Sequence, residues 1–259
     1  MRGVYSHFPA LGPRTLAALA ALLVLLSAST GLAQDPLATL DDDDIPAERR
    51  AELARVLAQA NAYLRESAAD PARLEVADRA CANASRLDPR SGDVELVWAR
   101  VTIARGEVDG AIRHAERAAT LAPRSFDAQL LHASLLLDIR DARRAKAAYE
   151  RALSLRPASY EARLGLALAL RRAGEVPAAA EHLRRCTRDA PQRPEAFYEL
   201  GVTLAASATP SEATEGRAAY ARFLALAGQD ARFVEAARSA RAAQTPRPAR
   251  RWAPRAHRH

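Results

Sequence analysis

Pro89, Pro123, Pro157 and Pro191 stand 34 residues apart three times in succession, each closing a stretch rich in Ala, Leu and Arg. Proline has no amide hydrogen and clashes with the preceding helical turn, so it ends a helix rather than continuing one. A fixed period of this length is that of one helix–turn–helix unit. The spacing therefore predicts a stack of similar hairpins, none of which buries its apolar face alone. Small residues recur with the prolines. Ala99, Gly106, Ala111, Ala118 and Leu121 precede Pro123. The same offsets give Ala133, Arg140, Ala145, Ala152 and Leu155 before Pro157, then Ala167, Gly174, Ala179, Cys186 and Asp189 before Pro191. Small side chains return where two helices must approach closely.

These offsets resemble the tetratricopeptide repeat family, whose pattern runs W-x2-L-G-x2-Y, then A-x3-F, then P. The resemblance is carried by Trp98-Ala99, by His132-Ala133-x2-Leu136 with Ala145-x3-Tyr149, by Leu166-Ala167-x2-Leu170 with Ala179-x3-Leu183, and by Phe197-x2-Leu200-Gly201-x2-Leu204. It implies an all-α protein, an α-solenoid of about five helix–turn–helix units over residues 48–244 with a C-terminal capping helix. The fourth block inserts three residues between its helices, around Ser207-Ala208-Thr209-Pro210, before Tyr220, Leu224 and Gly228 return to register. Ahead of Pro89, a degenerate block places Leu53, Val56, Leu57, Ala60, Tyr63 and Leu64 at helical spacing. Asp70-Pro71 reads as an N-cap and a first-turn proline, which predicts a second helix from about Pro71 to Leu87. A last helix over 231–243 is expected to cover the open apolar end of the stack.

Composition agrees. The 259-residue chain is 49% hydrophobic but only 5% aromatic, so its apolar surface must be buried through many thin helix–helix contacts. Lys146 is the single lysine among 38 basic residues, which together with the alanine excess points to a GC-rich bacterial genome. The formal charge of +7 invites a nucleic-acid reading until it is located. Two arginines before residue 34 and five after residue 244 carry all of it, leaving the predicted solenoid neutral. Helix arginines sit beside acids, as in Glu116-Arg117 and Glu150-Arg151, the pattern of a solvated face. No basic stripe is expected along the fold, and no nucleic-acid partner.

Both ends are of a different kind. Arg2 and Arg14 precede an apolar run from Leu16 to Leu26, followed by small residues and Gly31-Leu32-Ala33. This is the layout of a secretory signal peptide over 1–33, with cleavage expected before Gln34. The rival is an uncleaved membrane anchor, and both place the repeats beyond the membrane, in the periplasm or cell envelope. Residues 34–47 form an acidic linker containing Asp41 to Asp44, and residues 245–259 a basic tail with Trp252. Neither can bury enough apolar area to offset the entropy of ordering, so both are expected to be disordered. The Arg251-Trp252 tail carries a secondary expectation of weak contact with anionic lipid.

Catalytic signatures are scarce. The sequence has no nucleophile elbow, phosphate-binding glycine loop or C-x-x-C, and no cofactor or metal is expected. Cys81 and Cys186 fall on core-facing positions of second helices in separate units, and read as buried free thiols rather than a disulfide. His132 faces the helix partner and reads as a core histidine, and His114 and His182 share one register.

What the family resemblance leaves is a surface, the inner face built from the first helix of each unit, along which peptides lie. Carried over by repeat register, it comprises Leu96, Arg100 and Ile103; Leu130, Leu131, Ser134, Leu137 and Asp138; Leu164, Leu168, Arg171 and Arg172; and Tyr198, Glu199 and Val202. Leucine at one register in three units, with Tyr198 in the fourth, is an apolar ladder on a face that ought to be wet. The alternative is that the linker or the next unit closes this strip. The family's carboxylate clamp uses Lys and Asn, absent here, although Arg171 and Arg172 are placed to meet an acidic side chain. The expected function is a non-enzymatic scaffold or assembly factor binding a segment of an envelope protein. The alternative is a structural subunit of an envelope complex.

Overall fold

The computed structural model describes residues 46–68, 70–205, 207–228 and 230–244. The expected signal peptide, nearly all of the acidic linker and the basic tail lie outside the described residues. Among these, eleven α-helices form and no strand does. They are α1 (Ala47–Glu66), α2 (Arg73–Leu87), α3 (Gly92–Arg105), α4 (Val108–Leu121), α5 (Phe126–Asp138) and α6 (Ala142–Leu155), followed by α7 (Tyr160–Arg172), α8 (Val176–Asp189), α9 (Pro194–Leu204), α10 (Pro210–Ala227) and α11 (Val234–Gln244). Each odd-numbered helix through α9 pairs with its successor, giving the five hairpins and the capping helix that the period predicts. The residues fall into two compact units that divide between Ala158 and Ser159.

The first unit holds three hairpins, α1/α2, α3/α4 and α5/α6. The second helix of one hairpin packs on the first helix of the next, α2 on α3 and α4 on α5. First helices also touch along the stack, α1 with α3 and α3 with α5. The second unit holds α7/α8 and α9/α10, with α8 on α9, and α11 closing over α10. This is the α-solenoid organisation.

The local chemistry repeats with the period. Each proline of the series stands one residue beyond a helix C-cap, after Asp88, Ala122, Arg156 and Ala190. Ser91, Ser125 and Ser159, also 34 apart, cap α3, α5 and α7: each hydroxyl accepts from the amide of the third residue on, Val94, Ala128 and Ala162. Such a cap contributes about 1 kcal/mol, and a proline-anchored reading passes over this second series. At the fourth repeat Arg193 stands at the cap position and Pro194 begins the helix instead.

The tight turns inside the hairpins are also equivalent. Glu107 N–H bonds to Thr102 C=O, Asp141 to Leu136 and Glu175 to Leu170, each at 2.9 Å, the long closing bond of a Schellman motif. That motif needs a left-handed residue, supplied by Gly106 at φ 78°, Arg140 at φ 65° and Gly174 at φ 85°. Arginine at such a φ carries a steric cost of about 1–2 kcal/mol that glycine does not. Arg140→Gly is therefore expected to stabilise the protein by roughly 0.5–1 kcal/mol after the extra entropy of the unfolded glycine is subtracted. A denaturation midpoint unchanged or lowered would show that Arg140 holds the turn by other contacts.

Two boundaries differ from expectation. The helix after Asp70-Pro71 starts at Arg73, because the first bonds, Arg73 N–H to Asp70 C=O, Leu74 to Pro71 and Glu75 to Ala72, skip three residues and form tight turns. Asp70 Oδ1 caps the Ala72 amide within that turn. The final helix is preceded by a 3-10 turn over Ala231–Phe233, with Asp230 accepting from the Arg232 amide.

The aligned small residues are the packing planes. Ala99, Ala111 and Ala118, then Ala133, Ala145 and Ala152, then Ala167, Ala179 and Cys186 are all fully buried. Cys186 thus holds an alanine position. Cys81 is equally buried, and both cysteines are free. Burial pushes the Cys81 thiol up to about 12, assisted by Asp78 and Glu95, and the Cys186 thiol up to about 11. Neither is a thiolate at neutral pH, so native protein should label slowly with a thiol reagent and denatured protein rapidly at both sites. Fast native labelling at either cysteine would contradict this packing.

Candidate functional site

In the first unit α3 touches its partner α4, the preceding α2 and the first helices α1 and α5, so only a strip of its surface stays open. In the first unit the expected ladder divides along this line. Leu96 and Leu137 are 7% and 6% exposed and belong to the core, which corrects their place on a wet ladder. Leu96 packs with Ala118 and Ala128, at the junction of α3, α4 and α5. Leu131 leans on that group and on the Ala99, Ala111, Ala115 and Leu135 cluster, against which Ile103 also rests. Ser134 Oγ donates to the Leu131 carbonyl at 2.9 Å, so its hydroxyl is committed to its own helix. Asp138 is exposed, while Leu130, Leu131, Ile103 and Arg100 remain half-buried.

Arg100 is the charged member of this strip. Burial draws its guanidinium below the usual arginine value, while Asp127 and Asp93 pull it back up. Part of the side chain nonetheless remains accessible.

In the second unit Leu164 and Leu168 are half-buried. Leu164 packs into two core groups, one with Ala167, Leu183 and Leu200 and the other with Tyr160, Cys186 and Ala196. Arg171, expected to await an acidic ligand, already donates from Nη2 to Glu199 Oε2 at 2.9 Å across α7 and α9. Burial pushes the Glu199 carboxyl above its ordinary value, against the pull of Arg171 and Arg172. Arg171 Nε is buried with no hydrogen-bond partner, and Arg172 is exposed. Tyr198 and Val202 pack on Tyr220, Phe223, Ala237 and Ala240, with the Tyr198 ring 5.1 Å from that of Phe223. The cap and α10 therefore claim much of the fourth-repeat end of the ladder.

The strips are apolar, carry few charges and hold no nucleophile beside a base. Among the described residues no three His, Cys, Asp or Glu side chains converge as metal ligands. Each strip suits contact with a polypeptide, the first unit's through Leu130 with the charge of Arg100 and the second unit's through Leu168.

One network escaped the sequence reading. The buried Glu95 carboxylate on α3 lies 2.7 Å from His114 Nδ1 and 2.8 Å from Arg117 Nε on α4. Trp98 stacks on His114 with centroids 4.5 Å apart and donates from Nε1 to Asp78 Oδ1 at 2.9 Å. These contacts tie α2, α3 and α4 together. Glu116 and Arg117 are both exposed, as the solvated-face reading expects, and each pairs outside its own neighbour: Arg117 with Glu95, and Glu116 with Arg144 on α6 at 2.6 Å. Sequence-adjacent residues do not face one another on a helix.

Residues 130–194 match the tetratricopeptide repeat family model. No curated protein matches the chain significantly in sequence. Among solved structures it is similar to PilF of Pseudomonas aeruginosa, with a TM-score of 0.59 and 19% identity over 76% of this chain and 89% of that one. YrrB, described as a TPR protein with an unusual peptide-binding site, gives 0.58 and 18% over 75% and 97%. PilW, described as a type IV pilus biogenesis factor, gives 0.57 and 19% over 74% and 91%. At these identities the likeness is one of fold.

Proposed function

We propose that this chain, a tetratricopeptide-repeat protein, is a protein-binding scaffold or assembly factor that takes a segment of an envelope protein along the inner strips of its first helices. The observation that carries the reading is the surface that stacking leaves open on the first helices of the first unit, with half-buried Leu130 on α5 and a partly accessible charge, Arg100, on α3. A rigid, preformed strip of this kind binds without ordering itself first, so less of the contact energy is lost. The envelope assignment rests on the signal-like residues 1–33, and it sits well with structural neighbours that are described as PilF and a pilus biogenesis factor. The peptide-groove assignment parallels the description of YrrB.

The test places a photo-crosslinking amino acid at Leu130 or Leu168 and, as a control on an exposed second-helix face, at Arg113. Crosslinks to an envelope polypeptide are expected at Leu130, abolished by Arg100→Glu in the same unit, and separately at Leu168. Crosslinking only at Arg113 would favour the structural-subunit alternative and withdraw the groove.

A further inference from the structure

Away from the inner strips, α4 and α6 stand apart above α5, and the gap is a cleft of about 500 Å³. Its floor is His132 and Leu136, its ends Glu116 with Arg144 and Gln129 with Arg151. This volume lies within the range of small-ligand sites. His132 is 6% exposed, and neither of its ring nitrogens has a hydrogen-bond partner. The uncharged and acidic groups beside it are engaged. Gln129 Nε2 donates to the Ala119 carbonyl at 2.9 Å, and its Oε1 accepts from Arg151 Nε at 3.1 Å. Glu116 is held by Arg144. A buried imidazole with two unused nitrogens costs stability that an apolar residue would not, so its place at the floor of an open cleft asks for a ligand.

We propose that this outer cleft is a binding site for a carboxylate carried on a polypeptide segment, distinct from the inner strips. Charge selects the carboxylate. Arg144 is already paired with Glu116 inside the cleft and with Asp141 at 4.0 Å, which leaves the single charge of Arg151 for a ligand, a charge that a carboxylate balances and a phosphate dianion exceeds. The terminal nitrogens of Arg151 make no ion pair among the described residues, and with the imidazole N–H they supply donors for both carboxylate oxygens. Burial and the two arginines hold His132 neutral against Glu116. Neutral imidazole also keeps one acceptor nitrogen, which needs a donor. A peptide amide N–H next to an acidic side chain provides it, and a free dicarboxylate does not. Ala119, Pro123 and Ala147 complete the walls and suit the methylene groups of such a segment.

The experiment follows the imidazole nitrogen signals of His132 in the full chain by NMR, assigned by their loss in His132→Gln. The probes are the peptide acetyl-Ala-Glu-Ala-Glu-Ala-amide, its Gln-for-Glu counterpart, and glutarate. The acidic peptide is expected to move the His132 signals saturably, the Gln peptide is not, and glutarate should bind at least about tenfold more weakly. Arg151→Gln, at an exposed position, should keep the helical circular dichroism and lower peptide affinity at least about tenfold, and Arg151→Lys should recover part of it. Silence from both acidic probes, or an unchanged affinity in Arg151→Gln, would overturn the site. Glutarate binding as tightly as the peptide would overturn its assignment to a polypeptide.

Discussion

Ala167→Arg is expected to unfold the second unit around it, whereas Leu168→Arg, one residue further along α7, is expected to fold normally and lose the partner. Ala167 is fully buried among Ala180, Leu183, Leu200, Leu204 and Ala219, side chains from α8, α9 and α10. A guanidinium there has no acid in that cluster to pair with. Overpacking alone costs about 1–3 kcal/mol, and an unpaired buried charge adds several more, so the sum approaches the whole stability of a typical domain. Leu168 lies roughly 100° around the helix and is half-buried, so an arginine there keeps its stem on the apolar surface and its charge in water. The cost should stay within about 1 kcal/mol. Leu130→Arg on α5 should behave like Leu168→Arg. Circular dichroism and thermal melting separate the classes, and crosslinking at the inner strip reads the partner. Early melting of Leu168→Arg would make that leucine core and remove the apolar anchor from the second unit. Leu164 is the wrong residue for this test, because it packs into two core groups.

The fold was legible because its determinants are local and repeat. Proline spacing fixes where second helices stop, and the buried alanines at matching offsets fix where helices touch. Gly106, Arg140 and Gly174 share one offset in the sequence, and all three take the left-handed conformation. The inner strip was legible only in part, for a geometric reason. Register says which side of a first helix turns inward but not how wide the open strip is, and packing against neighbouring helices narrows it until Leu96 and Leu137 fall inside. Charge pairing was the least legible feature. Arg171 with Glu199 and Arg144 with Glu116 are each separated by 28 residues, one hairpin apart, and no i,i+4 pattern announces them. The cleft over His132 escaped for a related reason. The residue was correctly placed as buried, but whether its nitrogens find partners depends on side chains from two other helices.

Gly216→Ala is expected to be among the most damaging single-methyl changes in the chain. In the fourth repeat Gly201 and Gly216 take the places held by alanine in the others. A Cβ on Gly216 would lie 2.4 Å from the Ala205 nitrogen and 2.7 Å from the Leu204 carbonyl carbon, both backbone atoms that no rotamer change can move. A Cβ on Gly201 would meet the buried Tyr220 ring at 2.5 Å, so the two glycines together let α9 and α10 close on an aromatic side chain. Alanine at 216 gains up to about 1 kcal/mol of helix propensity, but it must push the helices apart. That loosens the packing of Tyr220 and Phe223 beneath the cap, and we expect a net loss of about 3 kcal/mol. For a chain of this size the midpoint should fall by roughly 6–12 °C. Gly110→Ala is the control. It is also inside a helix, but its nearest neighbour would be Thr102 Cγ2 at 3.5 Å, an ordinary contact. There only the propensity gain remains, and the protein should become more stable by about 0.5–1 kcal/mol. The opposite signs of two identical substitutions distinguish close approach from a general intolerance of glycine replacement. If Gly216→Ala also stabilises, α9 and α10 are not in backbone contact, and the packing of the capped end described above is wrong.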